Sequence, residues 1–192
     1  MPDEVKVKVS NFFDNLLSIR NIPNALVQFK FKQTFRETGR FLTNSTLGLA
    51  GLFDVASEFG LEEQTGEDFG VTMAYYGMPS GPYIVLPFLG PSNLRDAVGK
   101  GVDFFTSPPY ILQHVGLSQG QENSIIYSYI GVDAIQTRYS LLDAIEAGKE
   151  ASIDYYLFAQ SAYYQNREGK LYDGNPPSKA LSEDELLNDD DF

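Results

Sequence analysis

Between residues 68 and 96 the chain reads DFGVTMAYYGMPSGPYIVLPFLGPSNLRD, and this stretch limits the fold more than any other. Pro79, Pro82, Pro87 and Pro91 alternate with Gly77, Gly81 and Gly90 around a very apolar run from Tyr83 to Leu89. Proline gives up its backbone donor and fixes φ, so Pro87 inside the run argues against both a central strand and a regular helix. Irregular backbone leaves polar groups unpaired and ordinarily sits at a wet surface. An irregular segment this apolar is therefore expected in a core or against a lipid-facing cavity.

Helical periodicity dominates elsewhere. Val5, Val9, Phe12, Phe13, Leu16 and Leu17 predict a helix over 3–20, broken by Asn21-Ile22-Pro23-Asn24, with Asn24 capping the next. That second helix is expected to reach Leu42. Val27, Phe31, Phe35 and Leu42 form one stripe on it, and Lys32, Arg36 and Arg40 a basic row beside them. Such a pairing suits a helix at an anionic lipid surface, or equally a core face flanked by a solvated one. Residues 47–56 predict a short apolar helix in which Gly48 and Gly51 allow close approach or mark a bend. Residues 67–76 predict a helix ending at Gly77. Ser92 is a plausible cap for one over 93–105, which Pro108-Pro109 ends. Residues 110–120 are ambiguous. A long helix over 121–147 is expected, with Ile126, Ile130, Ala134, Thr137, Leu141 and Ile145 on one face and Gly148 at its end. A last helix, 151–167, is rich in Tyr and Phe. The fold class is all-α: a single helical domain over 1–172 with one irregular Gly/Pro-bounded apolar hairpin. An acidic tail over 173–192 is expected to be disordered.

Charge removes several functions. Six acids between Ser182 and Phe192 account for half of the formal net charge of −12. With no compensating basic cluster, general nucleic-acid binding is not expected. The chain has no cysteine and one histidine, so neither a disulfide framework nor an ordinary zinc site is expected, and no cofactor. No apolar run reaches the length of a membrane-spanning helix. Met1 to Ser10 lacks the regions of a signal peptide, which fits a cytoplasmic protein or a chain beginning after its targeting segment.

One catalytic pattern occurs. Gly116-Leu117-Ser118-Gln119-Gly120 matches G-x-S-x-G, which has meaning only on a strand-to-helix turn in an α/β sheet. The chain has no such alternation. Its single histidine, His114, precedes Ser118 by four residues instead of following it at a distance. A Gly/Ser turn before a helix accounts for the match. Glu67-Asp68 and Arg95-Asp96 are read as caps and ion pairs rather than catalytic acids. No catalytic residue is assigned.

The run Glu67-Asp68-Phe69-Gly70, Thr72, Gly77, Gly81-Pro82-Tyr83, Leu86-Pro87, Gly90-Pro91-Ser92 and Arg95-Asp96 resembles the signature of the MlaA (VacJ) family. Phe41-Leu42, Asn44, Gly48, Gly51 and Asp54-Val55-Ala56 match the block before it. Thr137-Arg138, Leu141-Leu142-Asp143 and Tyr163-Tyr164-Gln165 match the final helices, and Val9 to Leu16 the opening one. The resemblance covers almost all of the chain before the acidic tail.

That resemblance implies a ring-like helical lipoprotein of the Gram-negative outer membrane, on the inner-leaflet, periplasmic side. Such proteins remove misplaced phospholipid from the outer leaflet through an amphipathic channel and pass it to a periplasmic carrier. They associate with porin trimers and carry out no covalent chemistry. It implies a lipid passage walled by Gly77, Gly81, Pro82, Tyr83, Leu86, Pro87, Gly90 and Pro91, with Lys32, Arg36 and Arg40 meeting lipid headgroups. A porin-bound scaffold with no passage of its own is the alternative. The family's lipidated cysteine and first helices are absent from this sequence, so a ring closed by residues 1–192 alone is not assured by the resemblance.

Overall fold

The computed structural model describes residues 3–63, 66–87, 90–112 and 119–177, with backbone alone at 3, 112, 125, 129, 132–144 and 151. The order is α1 (Asp3–Val27), α2 (Phe31–Thr46), α3 (Val55–Glu58), α4 (Phe69–Tyr75), β1 (Tyr83–Leu86), β2 (Gly90–Asn93) and α5 (Leu94–Asp103). A 3-10 turn (Phe104–Thr106), α6 (Pro108–Leu112), α7 (Gln119–Ala151) and α8 (Tyr155–Leu171) follow. The fold is all-α apart from one two-stranded hairpin. His114, Ser118, Phe88, Leu89 and residues 178–192 lie outside the described residues.

The first break falls later than the sequence predicts. Pro23 sits inside α1, and the helix runs on to Val27. Asn24 is no cap. Its Nδ2 donates to the Arg20 carbonyl at 3.0 Å and to Asp103 Oδ1 at 3.2 Å, while its Oδ1 accepts from the Thr72 hydroxyl at 2.8 Å. These contacts tie α1 to α4 and α5, and they hold the helix through the residue that a local rule would end it on. The turn comes instead at Phe29, with φ of 60°, where Lys30 N–H closes back on the Ala25 carbonyl at 3.0 Å. This is the helix-ending geometry usually given to glycine.

Residues 47–53 are turns, not the predicted short helix. Leu49, Ala50 and Gly51 all have positive φ, and Gly51 N–H bonds the Asn44 carbonyl at 2.8 Å. A Cβ on Gly48 would stand 2.2 Å from the Phe53 carbonyl oxygen, so the turn closes only on glycine. Asn93, not Ser92, caps α5, and α5 stops at Asp103. Pro108 and Pro109 begin α6, where a missing N–H costs nothing. Gly148 does not end α7. It is buried within it, and a Cβ there would lie 2.3 Å from the Phe158 ring of α8. On the predicted face of α7, Ile130 is exposed; the side chains of Ala134, Thr137 and Leu141 lie outside the described residues.

The hairpin is regular, not irregular. β1 and β2 pair antiparallel from Tyr83↔Asn93 to Leu86↔Gly90. Pro87 falls just beyond β1, in the connection, where no ladder donor is needed.

The distribution of polarity is inverted. Among the described residues, the buried apolar side chains are Phe13, Ala25, Ala56, Val71 and Met73. Buried polar ones outnumber them, and Phe31, Phe35, Leu42, Leu47 and Leu49 are exposed. Helix α2 shows this most clearly: Gln33, Glu37, Arg40 and Asn44 face α1, while Phe35 on the far side is 77% exposed against 3% for Glu37. The opposing face of α1 is polar too, through Asn15, Ser18 and Asn21. Burying such groups unpaired costs roughly 1–3 kcal/mol each. Hydrogen bonds between the helices, such as Ser18 Oγ to Glu37 Oε2 at 3.1 Å and Asn15 Nδ2 to Ser45 Oγ at 3.0 Å, offset that cost.

Candidate functional site

The polar interior converges on the start of α4. Glu67 is fully buried. Its carboxylate accepts from Gln28 Nε2 at 2.8 Å, Gln33 Nε2 at 3.2 Å and Lys30 Nζ at 2.8 Å. Lys30 also reaches Asp173, past the end of α8, at 2.7 Å. Burial works to lower the Lys30 pKa, but its bonds to Asp173 and Glu67 outweigh that and raise it.

One residue further on, Asp68 caps α4 by accepting from Val71 N–H at 2.9 Å. It also receives both ends of the Arg167 guanidinium, at 2.6 and 2.8 Å. Arg167 Nε stands 2.8 Å from Asp96 Oδ2 as an ion pair, although not aligned as a hydrogen bond. Asp96 further accepts from Arg95 Nε at 2.9 Å, Asn93 Nδ2 at 2.9 Å and the Tyr163 hydroxyl. Burial alone would push the Asp68 carboxyl up. The hydrogen bonds and charge of Arg167 overcome it and hold the carboxyl well below the usual carboxylate range. Burial and the Asp96 carboxylate raise the Tyr163 phenol above its ordinary value.

Two glycines make this joint possible. A Cβ on Gly99 of α5 would lie 2.5 Å from Gly70 N, and one on Gly70 would lie 2.6 Å from Asp96 Oδ1 and 2.8 Å from Arg167 Nη2. Helices α4, α5 and α8 thus meet on one arginine. Sequence reasoning identified Asp68 and Asp96 as caps and ion-pair members but missed Arg167. The available signal was its place four residues after Tyr163, on the same helical face.

The hairpin sits against this joint through Tyr83, whose ring packs on Tyr156, Tyr163 and Tyr164 at 5.4, 5.9 and 6.1 Å. Gly81, Pro82, Pro87 and Pro91 are exposed, and Leu86 and Gly90 half-buried. Gly77 lies apart from the strands. With φ of 82° it follows the end of α4 and lines an apolar groove of about 430 Å³ with Val27, Phe69, Met73, Tyr76 and Met78. The basic row does not stay together. Lys32 is exposed and Arg36 half-buried, but Arg40 is buried. Arg40 is committed to Asp54 at 3.2 Å, Ser57 Oγ at 3.0 Å and the Leu61 carbonyl.

Arg40 borders a polar cavity of about 70 Å³ between α1 and α2. Asp14, Glu37, Asp54 and Glu63 also line it. Asp14 and Glu63 are exposed at its rim, whereas Glu37 lies at its buried end. Burial raises the pKa of Asp14, Glu37 and Glu63. Asp54 shows the opposite. Burial pushes it up, but Ser57, Asn44 and Arg40 bring it below its ordinary value. Among the described residues no three of His, Cys, Asp and Glu converge as metal ligands. No described helix is long and apolar enough to cross a membrane.

Residues 1–170 match the family model described as MlaA lipoprotein. The chain is 32% identical over 169 residues to an uncharacterised protein of Rickettsia prowazekii, covering 88% of this chain and 64% of that one. It thus spans about two-thirds or less of the Rickettsia relatives. It is 32% identical to the intermembrane phospholipid transport system lipoprotein MlaA of Haemophilus influenzae, over 99% of this chain and 72% of that one. The Escherichia coli protein of the same name is 30% identical, over 96% and 72%. A solved structure reported as the structural basis for maintenance of bacterial outer membrane lipid asymmetry superposes with a TM-score of 0.68 at 28% identity. It covers 91% of this chain and 82% of that one.

Proposed function

The chain belongs to the MlaA lipoprotein family, and from that premise we propose that it moves phospholipid without covalent chemistry. In this reading it removes misplaced phospholipid from the outer leaflet of a Gram-negative outer membrane and passes it to a periplasmic carrier. The observation that carries the reading is the inverted packing of α1 and α2. A phospholipid has a charged head and apolar tails. The exposed Lys32 offers the head a positive charge, exposed Phe31, Phe35, Leu42 and Leu49 offer the tails an apolar surface, and the buried polar side chains, bonded to one another, hold that apolar face outward. An apolar face beside the exposed Lys32 also suits an inner-leaflet position, where anionic headgroups attract bases.

The hairpin then serves as a stiff wall of the passage. Its exposed prolines reduce the entropy lost on lipid contact, and Tyr83 fixes it to α8 through the tyrosine cluster. The chain works beside a porin trimer, with its polar interior joined to the route of lipid toward the periplasm.

The test is lipid asymmetry in cells carrying the gene in place of their own homologue. Outer-leaflet phospholipid is measured by labelling, together with porin pull-down. Gly81→Trp puts bulk where φ is 67° and a Cβ already lies 3.1 Å from Leu94. The expected outcome is loss of asymmetry with porin capture retained. Asymmetry unaffected by this change, with capture intact, would instead favour a scaffold with no passage of its own.

A further inference from the structure

We propose that Arg20 of α1 and Lys170 of α8 form a binding site for a phosphate group beside the start of α4. The hydrogen bonds of the joint bring the two cations together. Arg20 Nε donates to the Glu67 carbonyl at 3.2 Å. The next residue, Asp68, takes both ends of Arg167. Lys170 follows Arg167 by three residues, on the same face of α8. Helices α1 and α8 thus deliver one basic side chain each to the same pair of residues.

Neither cation is fully engaged. Among the described residues, Arg20 makes that single bond through Nε and none through its two Nη groups, and Lys170 Nζ has neither a hydrogen bond nor an ion pair. Both residues are half-buried, and their terminal nitrogens stay open to solvent. The acids nearby already have partners. Glu67 holds Lys30, Asp68 holds Arg167, and Asp96 holds Arg167 and Arg95. Asp103, where α5 ends against α1, accepts from Phe69 N–H and Asn24 Nδ2 and has no cation of its own among the described residues. Its charge offsets one of the two cations. Glu168 turns away, about 100° round α8 from Arg167. One positive charge is left over, in a chain whose net charge is −12. Burial lowers the pKa of Lys170, and the charges of Arg20 and Arg167 add to this against the pull of Asp68 and Glu67. A bound anion would reverse that shift.

The donors select the ligand. A guanidinium offers a fork of parallel N–H groups, and an ammonium three more from a second direction. A phosphate can take the fork on one edge and keep an oxygen for the lysine. A carboxylate has two oxygens, and both are occupied once it meets the fork. A phosphodiester also carries one negative charge, which equals the surplus.

Such a group can come from a phospholipid head or from a soluble phosphate. The first source rests on the transport reading above; the site itself does not. The experiment has two arms on the purified full chain in detergent. In the first, dimethyl phosphate, inorganic phosphate and acetate are titrated separately by calorimetry at constant ionic strength. Both phosphates are expected to saturate in roughly the millimolar range, as small ligands should, with acetate at least about tenfold weaker. Lys170→Gln, which breaks no bond of the fold, is expected to weaken dimethyl phosphate about tenfold. Arg20→Gln, with folding checked by circular dichroism, is expected to do the same. Lys149→Gln, at an exposed position of α7, is expected to change nothing. No saturable binding of either phosphate, equal binding of acetate, no effect of Lys170→Gln or Arg20→Gln, or an equal effect of Lys149→Gln would each overturn the site.

In the second arm, native mass spectrometry follows retention from an equimolar mixture of phosphatidylglycerol and diacylglycerol with the same acyl chains. Enrichment of phosphatidylglycerol that Lys170→Gln abolishes assigns the phosphate to the lipid. Equal retention of both lipids, or enrichment that survives Lys170→Gln, with dimethyl phosphate still bound by the parent chain, assigns the site to a soluble phosphate. Retention of neither lipid, with dimethyl phosphate still bound, counts against the transport reading and leaves the site standing.

Discussion

Two charged regions of this molecule are built in opposite ways. At the joint of α4, α5 and α8, Arg167 sits between Asp68 and Asp96, and every carboxylate there has a cation and hydrogen-bond donors. In the cavity of α1 and α2, Asp54 is ion-paired with Arg40, while Asp14 and Glu37 accept from the neutral hydroxyls of Ser10 and Ser18. The carboxyl of Asp68 is held low, whereas Asp14, Glu37 and Glu63 are pushed up. The lesson is that buried charge plays two roles here. Where it is matched from within, it holds helices together. Where it is met mainly by neutral hydroxyls, burial favours its protonated form.

The sharpest way to break this contrast is to remove Arg167. Arg167→Met leaves Asp68 and Asp96 buried without their shared partner, and breaking a buried pair costs about 3–5 kcal/mol. Denaturation of the variant in detergent should show a loss of that order; a loss near zero would mean that the joint holds nothing. Next comes Gly99→Ala. Its Cβ would meet backbone atoms of Gly70 and Phe69, which cannot swing aside, so a loss of about 1–3 kcal/mol is expected in the same assay.

Acid should separate the two regions in sign. The lowered Asp68 carboxyl contributes stability that is present above its unfolded pKa and lost as pH falls through its folded value. Asp68→Asn should therefore destabilise at pH 7, with the deficit shrinking in strong acid. The raised Glu37 carboxyl works the other way. It binds its proton more readily when folded, so protonation favours the native state as pH falls. Glu37→Gln should raise stability at pH 7 and flatten the pH dependence; a fall in stability would place Glu37 with the matched charges. The smallest effect belongs to the outer face. Phe35→Ser should shift stability in detergent by within about 0.5 kcal/mol, as exposed positions do. It should nonetheless reduce partition into vesicles, measured by flotation.

Much of the fold was legible. Helical spacing located the main helices, Gly77 marked the end of α4, and Asp68 read correctly as a cap. The glycines and prolines bounded the hairpin. Its regular pairing was missed because Pro87 was counted inside the strand, whereas it occupies the turn. Pro23 misled for a different reason: a local penalty was outweighed by the tertiary bonds of Asn24, which no local pattern reveals. Leu49 and Ala50 adopt positive φ although glycine is the usual choice, and nothing in their chemistry announces it.

The polarity of α2 was the deeper ambiguity. Phe31, Phe35 and Leu42 on one side and Glu37, Arg40 and Asn44 on the other give the same periodicity whichever side is buried. Periodicity measures segregation, not direction, so both orientations stayed open until α1 was seen to offer a polar face. Arg40 looked like a member of a surface row with Lys32 and Arg36, but four-residue spacing drifts round a helix, and it falls on the buried side. Arg167 depended on two partners, 99 and 71 residues away, and so was invisible to any local window.

The inverted packing also has a calorimetric consequence. The heat-capacity increment of unfolding comes largely from apolar surface newly given to water, about 12–15 cal/mol/K per residue in ordinary globular domains. Here the Phe, Leu and Val side chains of α2 and its neighbours are already outside. When the helices part in a detergent micelle, those groups keep the surroundings they had. The increment should therefore be small, the stability curve broad and shallow, and cold denaturation displaced well below the freezing point of water.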